Sequence, residues 1–327
     1  MRRPPPRRPG PPGPRPPKAG GPPARKGPPR EAEAPAPSPR GRDRRGMGDP
    51  RPGRAAEPPP PQARAARPAE REATPPGALW LHGLHAVAAA LQNPRRRLKR
   101  LLLTADAAAE LAKRVERPWR VQAEIVDRQR FQTFLAEDAV HQGAALLAEP
   151  LTPLALDQAI ARSDGPVLLL DQVTDPRNVG AMLRSAAAFG AACVVMQDRH
   201  APPETGALAR AASGALEIVP IAREVNLSRA IMTLQKAGFW VLGLAGDATL
   251  TLAQAAPRDR RVALVLGAEE SGLRRLQRET CDELVRLPIA PGVESLNVAA
   301  AAAVALYEMA RDRPLAAPAE TEEETEA

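Results

Sequence analysis

The sequence predicts an α/β protein. Two α/β domains, a small one over residues 79–150 and a larger one over 165–313, sit between unfolded tails. Three observations carry this. Residues 1–78 hold 25 of the 39 prolines, 18 basic residues against 7 acidic ones, and no Trp, Tyr or Phe; such a segment buries too little apolar surface to offset its ordering entropy. Apolar runs then alternate with stretches of helical periodicity from Trp80 to Glu149. Beyond Pro166 the strand-like runs become continuously apolar, as in parallel strands covered on both faces.

The N-terminal tail reads either as a semi-extended polycation that binds nucleic acid by counterion release or as a solvated extension. The small domain begins with a helical stretch after Gly83. There follow a strand Leu98–Thr104, a helix Ala107–Val115, a strand Val121–Val126, a helix Arg128–Leu135 and a strand Ala144–Glu149. Its basic cluster, Arg95, Arg96, Arg97, Lys99 and Arg100, either meets phosphates or is a solvated surface. Pro150, Pro153 and the break Ser163-Asp164-Gly165-Pro166 separate it from the larger domain.

That domain opens with a strand Val167–Leu170. Further strands are expected at Cys193–Met196, Glu217–Ile221, Phe239–Leu244 and Val262–Leu266. The helix after the first strand puts Val179, Met182, Leu183, Ala186 and Phe189 on one stripe and turns Arg184 away from it. The last helix, from Asn297 to about Arg311, is so rich in alanine that it suits tight contact with another helix. Five acids between Glu320 and Glu326 mark residues 314–327 as an acidic, disordered tail.

Several function classes fall away. From Leu79 onward 28 basic residues face 31 acidic ones, so the excess positive charge belongs to the N-terminal tail. Cys193 and Cys281 are too few and too far apart for a disulfide framework or a CxxC-type zinc site. The N-terminus lacks an apolar signal region, no run of 18 apolar residues occurs, and the expected compartment is the cytoplasm. The sequon Asn226-Leu227-Ser228 is read as chance. Neither GxGxxG after a strand, GxxxxGK[ST], HExxH nor GxSxG is present. His82 and His85 lack cysteine or carboxylate partners at ligand spacing and are read as structural, with no metal expected.

Three segments remain, each at the C-terminal end of a strand-like run, where open α/β sheets bind ligands. In Asp171–Gly190, Asp175-Pro176 turns the chain and Asn178 is placed to cap the helix carrying Arg184. In Val265–Leu273, Gly267 and Gly272 permit close approach around Glu269. In Leu287–Ala302, Ser295 and Asn297 are candidate caps of the alanine-rich helix. Singly, each reads equally as a capped helix or a plain turn.

Together, in this order and spacing, they resemble motifs 1, 2 and 3 of the SpoU (TrmH) branch of the SPOUT RNA ribose methyltransferases. PVLLLDQVTDPRNVGAMLRSAAAFG, VALVLGAEESGLRRL, CDELVRLPI and SLNVAAAAAVALYE extend the resemblance from Pro166 to Tyr307 almost without interruption, with Val225-Asn226-Leu227 between them. Gly83–Val87 (GLHAV) and Val140–Gly143 (VHQG) are similar to the ribosomal-RNA-binding extension of the subgroup that methylates a guanosine of 23S ribosomal RNA.

The resemblance implies a small RNA substrate-binding domain before an α/β domain tied in a trefoil knot. It implies S-adenosylmethionine as cofactor, held largely by backbone at Gly267, Leu287 and Leu296, and no metal. It places Asn178 and Arg184 in motif 1, Glu269 in motif 2, and Ser295 and Asn297 in motif 3 as the catalytic set. RNA, 23S ribosomal RNA first, is the implied partner, with a homodimer built through the knotted domain. A transfer-RNA ribose methyltransferase and a catalytically silent ribosome-assembly factor are the rival readings. Two positions depart from the family pattern: Glu270, where Gly is common, and Ala299, where Ser is common.

Overall fold

A computed structural model describes residues 72–312 except residue 258, all within one compact unit. The expectations for the two tails lie mostly outside the described residues.

The small domain runs β1 (Leu79–His82), α1 (Leu84–Gln92), β2 (Leu98–Leu103), α2 (Ala105–Ala112), β3 (Ala123–Ile125), a 3₁₀ turn (Arg128–Thr133) and β4 (Ala144–Ala148). The sheet order is β1-β4-β2-β3: β4 pairs antiparallel with β1 and β2, and β3 adds parallel to β2. The expected helix over Arg128–Leu135 is this shorter 3₁₀ turn, anchored by fully buried Phe131. β1, unforeseen in the sequence, is buried along all four residues. Four apolar-to-intermediate residues on a covered edge show no alternation to announce a strand.

The larger domain runs α3 (Leu156–Ile160), β5 (Val167–Leu170), α4 (Pro176–Ala188), β6 (Cys193–Gln197), α5 (Gly206–Ala212), α6 (Ala215–Ile218) and β7 (Ile221–Glu224). It continues with α7 (Leu227–Lys236), β8 (Trp240–Leu244), β9 (Leu250–Thr251), α8 (Leu252–Ala255), β10 (Val262–Leu266), α9 (Arg275–Thr280), β11 (Glu283–Arg286) and α10 (Val298–Ala310). Its sheet is parallel throughout, in the order β7-β6-β5-β10-β8-β11-β9. The chain leaves β5 toward β6 and β7, then returns to place β10 directly against β5, so the winding reverses between these central strands. Ligands bind at such reversals, beyond the C-terminal strand ends. β5, β6 and β10 are buried along their whole lengths, as their apolar runs require.

The strand expected at Glu217–Ile221 is corrected. Gly214, at φ 95°, opens the short helix α6 over its first residues, and pairing begins only after Pro220, which has no N–H to donate. The stripe on α4 holds: Val179, Met182, Leu183 and Ala186 are fully buried, each large one worth about 1.5–3 kcal/mol. Phe189 closes the helix half-buried and meets Tyr307 edge-on at 5.9 Å. α10 packs its alanines Ala302 and Ala305 inward and lies against α4 of the same chain, leaving Val304 and Tyr307 exposed. Both cysteines are free. Burial pushes each thiol up to about 12, so neither is a ready nucleophile.

The two domains are locked by charge. Arg96, fully buried, reaches Glu204 at 2.5 Å and Glu217 at 2.5 Å, and donates to the Glu149 carbonyl at 2.8 Å. Asn93 Nδ2 donates to Glu217 at 2.7 Å, and the Leu151 N–H donates to Glu204 at 2.9 Å. Arg96 is therefore neither a phosphate contact nor a solvated charge, as its cluster suggested. Of its neighbours, Lys99 pairs with Glu149, Arg100 pairs with Glu124 and Arg95 donates to the Thr152 carbonyl, whereas Arg97 reaches Glu149 only at 3.6 Å and stays largely solvated. Burial opposes the Arg96 charge, but the Glu217 hydrogen bond and the Glu204 charge outweigh it and raise its pKa.

Candidate active site

Asp171, at the end of β5, is fully buried. Its N–H donates to the Leu266 carbonyl at 2.8 Å, and its carboxylate accepts from Arg274 Nε at 2.8 Å and the Arg274 N–H at 3.1 Å. The loop after β10 is thus pinned to the end of β5. Within that loop the chain doubles back so tightly that a Cβ on Gly267 would lie 2.1 Å from the Gly272 carbonyl. Glycine is required there by contact, because backbone cannot yield as a flexible side-chain tip can.

The loop delivers Glu269 to the start of two helices. Glu269 Oε1 accepts from Asn178 Nδ2 at 3.0 Å, Asn297 Nδ2 at 2.7 Å and the Val298 N–H at 3.2 Å. Asn297 Nδ2 also donates to Asn178 Oδ1 at 3.1 Å, closing a triangle. Asn297 Oδ1 accepts from the Ala299 and Ala300 N–H groups and caps α10, as its position suggested. A carboxylate beside that N-terminus also complements the helix dipole. Asn178 is not the cap of α4. Asp175 takes that place, accepting from the Arg177 N–H at 2.8 Å, with Pro176 in the first turn. Asn178, inside the first turn, is thereby released to face Glu269.

Beside the triangle lies a cleft of about 370 Å³, lined by Gly267, Glu269, Leu287, Ser295 and Leu296. Ser295 is exposed and caps nothing. Glu270 and Glu294 line the same cleft with two cations, Arg278, paired with Asp247 at 2.8 Å, and Arg286. Arg184 is outside it. It stands exposed on α4, in a second groove of about 980 Å³ shared with Arg177, Arg210, Trp80 and His82.

The structure therefore joins Asn178, Glu269 and Asn297 directly, gathers Ser295, Gly267, Leu287 and Leu296 around Glu269, and leaves Arg184 apart. Sequence reasoning missed the Asp171–Arg274 clamp, although an acid terminating an apolar strand was a visible signal. It also missed Arg177 and Arg210, which no spacing sets apart from other surface arginines. The histidine pair differs from the expected satisfied couple at one member: exposed His85 has Arg114 Nη1 at 3.2 Å from its Nε2, whereas buried His82 leaves Nδ1 without a hydrogen-bond partner.

Residues 165–307 match the model of the SpoU rRNA Methylase family, and residues 80–154 match that of the RNA 2'-O ribose methyltransferase substrate-binding domain. Over 239 residues the chain is 39% identical to a 23S rRNA (guanosine-2'-O-)-methyltransferase RlmB of Vibrio cholerae, covering 71% of this chain and 96% of that protein. The chain belongs to the SpoU rRNA methylase family. The RlmB of Pseudomonas syringae is 38% identical across 71% of this chain and 95% of its own length. Among solved SpoU structures, AviRb of Streptomyces viridochromogenes in complex with AdoMet shares the fold with a TM-score of 0.61 at 24% identity. That match covers 72% of this chain and 91% of AviRb. A putative RNA methyltransferase of the TrmH family from Porphyromonas gingivalis gives 0.59 at 26% identity, over 72% and 90%.

Proposed function

We propose that this SpoU protein transfers a methyl group from S-adenosylmethionine to the ribose 2′-hydroxyl of a guanosine in 23S ribosomal RNA. The observation that carries the reading is the convergence of three distant segments on Glu269, beside a cleft at the reversal of a parallel sheet. The near-complete coverage of RlmB relatives supports the choice of RNA.

The cleft suits the cofactor on its own features. Its volume falls within the range of small-molecule sites, and its floor at Gly267 is backbone too close for any side chain. Leu287 and Leu296 add apolar surface, and Glu269, Glu270 and Glu294 complement a cationic sulfonium. Gly267, Leu287 and Leu296 are assigned to hold it. Bound there, it supplies an electrophilic methyl group.

The remaining work falls to the chain. A guanidinium stays protonated in proteins, so Arg184 is assigned to stabilise the developing 2′-alkoxide and its neighbouring phosphate rather than to remove the proton. Asn178, Glu269, Ser295 and Asn297 align the ribose and the motif loops. The separation of Arg184 from its own chain's cleft supports a homodimer in which the site draws on both protomers, as do exposed Val304 and Tyr307 on α10. Membership of the SpoU family supports a knotted passage of the C-terminal segment. We assign residues 79–150 to RNA binding and 165–313 to catalysis, in the cytoplasm.

The test is transfer of labelled methyl to unmodified 23S and transfer RNA, wild type beside Arg184→Ala. Incorporation into 23S RNA alone, lost in the variant, is expected. Incorporation into transfer RNA alone would reassign the substrate, and an active, folded Arg184→Ala protein would remove Arg184 from the chemistry.

A further inference from the structure

The groove that Arg184 lines is larger than one side chain's task requires, and its walls come from both domains. Trp80, Phe134 and Val140 form one side; Arg177, Arg184 and Arg210 form the other. All three arginines are exposed, and Arg177 and Arg184 have no ion-pair or hydrogen-bond partner for their side chains among the described residues. Arg210 donates from Nη1 to the Val140 carbonyl, which uses only part of a guanidinium's five-donor capacity. Two carboxylates, Asp138 and Glu204, share the walls, but Glu204 is already taken by Arg96 and the Leu151 N–H. The groove is thus net positive.

His82 supplies a second, independent pointer. It is 8% exposed, it lines this groove and the adjoining one of about 150 Å³, and its Nδ1 is unpartnered. Burial depresses its pKa, with a backbone hydrogen bond to Val140 opposing. A buried polar atom without a partner carries a desolvation cost that a bound ligand removes. The wall spacing is fixed as well: a Cβ on Gly206 would lie 2.6 Å from the Trp80 carbonyl and 3.0 Å from His82 Cδ2, so α5 and β1 touch through backbone.

We propose that this groove holds the single-stranded RNA beside the target ribose, with Arg177 and Arg210 on its phosphates and His82 Nδ1 hydrogen-bonded to a nucleotide's polar edge. The proposal rests on the RNA-methylation reading above. A cavity of this volume matches a few nucleotides of one strand, and RNA sequence is read mainly on exposed single strands. Guanidinium forks suit phosphate oxygens, and the pairing releases counterions.

The experiment measures binding of the full chain to unmodified 23S RNA across a salt series, with methyl transfer and S-adenosylmethionine binding followed in parallel. Arg177→Ala and Arg210→Ala are each expected to weaken RNA binding about ten-fold and to flatten the plot of log K against log salt by about 0.7, one single-strand phosphate contact. Arg210→Lys, which keeps the charge, restores most of the slope. His82→Phe is expected to weaken binding several-fold with the slope unchanged, and all variants retain cofactor binding. A double Arg177→Ala, Arg210→Ala protein with wild-type RNA affinity and slope would overturn the groove while leaving methyl transfer to RNA in place. Equal competition by a duplex RNA would overturn its single-strand preference. A wild-type chain that binds and methylates no RNA overturns the function reading and the groove together.

Discussion

The Arg96 cluster and the Asn178–Glu269–Asn297 triangle both tie together segments a hundred or so residues apart, yet they are built for opposite purposes. In the first, the side chains of Arg96, Glu217 and Glu204 are 0%, 4% and 10% exposed, and each carboxylate also receives a neutral donor. In the second, Glu269 and Asn297 are exposed and Asn178 is half-buried. Water can replace any contact in the triangle but none in the cluster. Closed polar networks hold position, whereas open ones leave capacity for a ligand.

The sharpest break of that contrast is Arg96→Ala. It strands two carboxylates inside the domain junction and is expected to cost about 3–5 kcal/mol, read by denaturant unfolding. Exposed Arg184→Ala should leave stability within about 0.5 kcal/mol while lowering methyl transfer about 10²–10³-fold. An equal loss of stability in both would erase the distinction between junction and site. Glu269→Gln keeps an acceptor but loses its charge; methyl transfer is expected to fall about ten-fold with the melting temperature unchanged, since a charge-assisted bond is roughly twice as strong as a neutral one. The smallest effect concerns pH. Burial raises the Glu204 pKa, with the Arg96 charge opposing, so the folded chain keeps that proton above pH 4.5 after the unfolded chain has lost it. Stability contributed by Glu204 therefore falls as pH rises through that window, and Glu204→Gln should flatten the fall in a series of unfolding curves.

The same two regions show what a sequence discloses. Strands β5, β6 and β10 were legible as apolar runs because both faces are covered, and the α4 stripe was legible because only one is. The triangle's members were legible as a set through the motif resemblance, but not their bonds: Asn178 read as a cap until Asp175 was seen to hold the helix end. The Arg96 junction was hidden. In the run Arg95–Arg97 nothing distinguishes the middle arginine, because its partner Glu217 lies 121 residues away in the short helix α6, which read as a strand. Arg184's placement was hidden for a related reason, since the groove around it exists only once two domains are apposed.

One consequence of the strand order concerns synthesis. β5 pairs with β10 through Val167 and Ala263, nearly a hundred residues later, while β6 covers only its other edge. A ribosome adding 5–20 residues per second leaves that edge without its partner for about 5–20 s. Throughout that interval a continuously apolar strand offers open N–H and C=O groups to any neighbour. The nascent chain is therefore most vulnerable to mispairing after α4 has emerged and before Leu266 has, and the strand that covers this edge is also the one that delivers Glu269 to the candidate site.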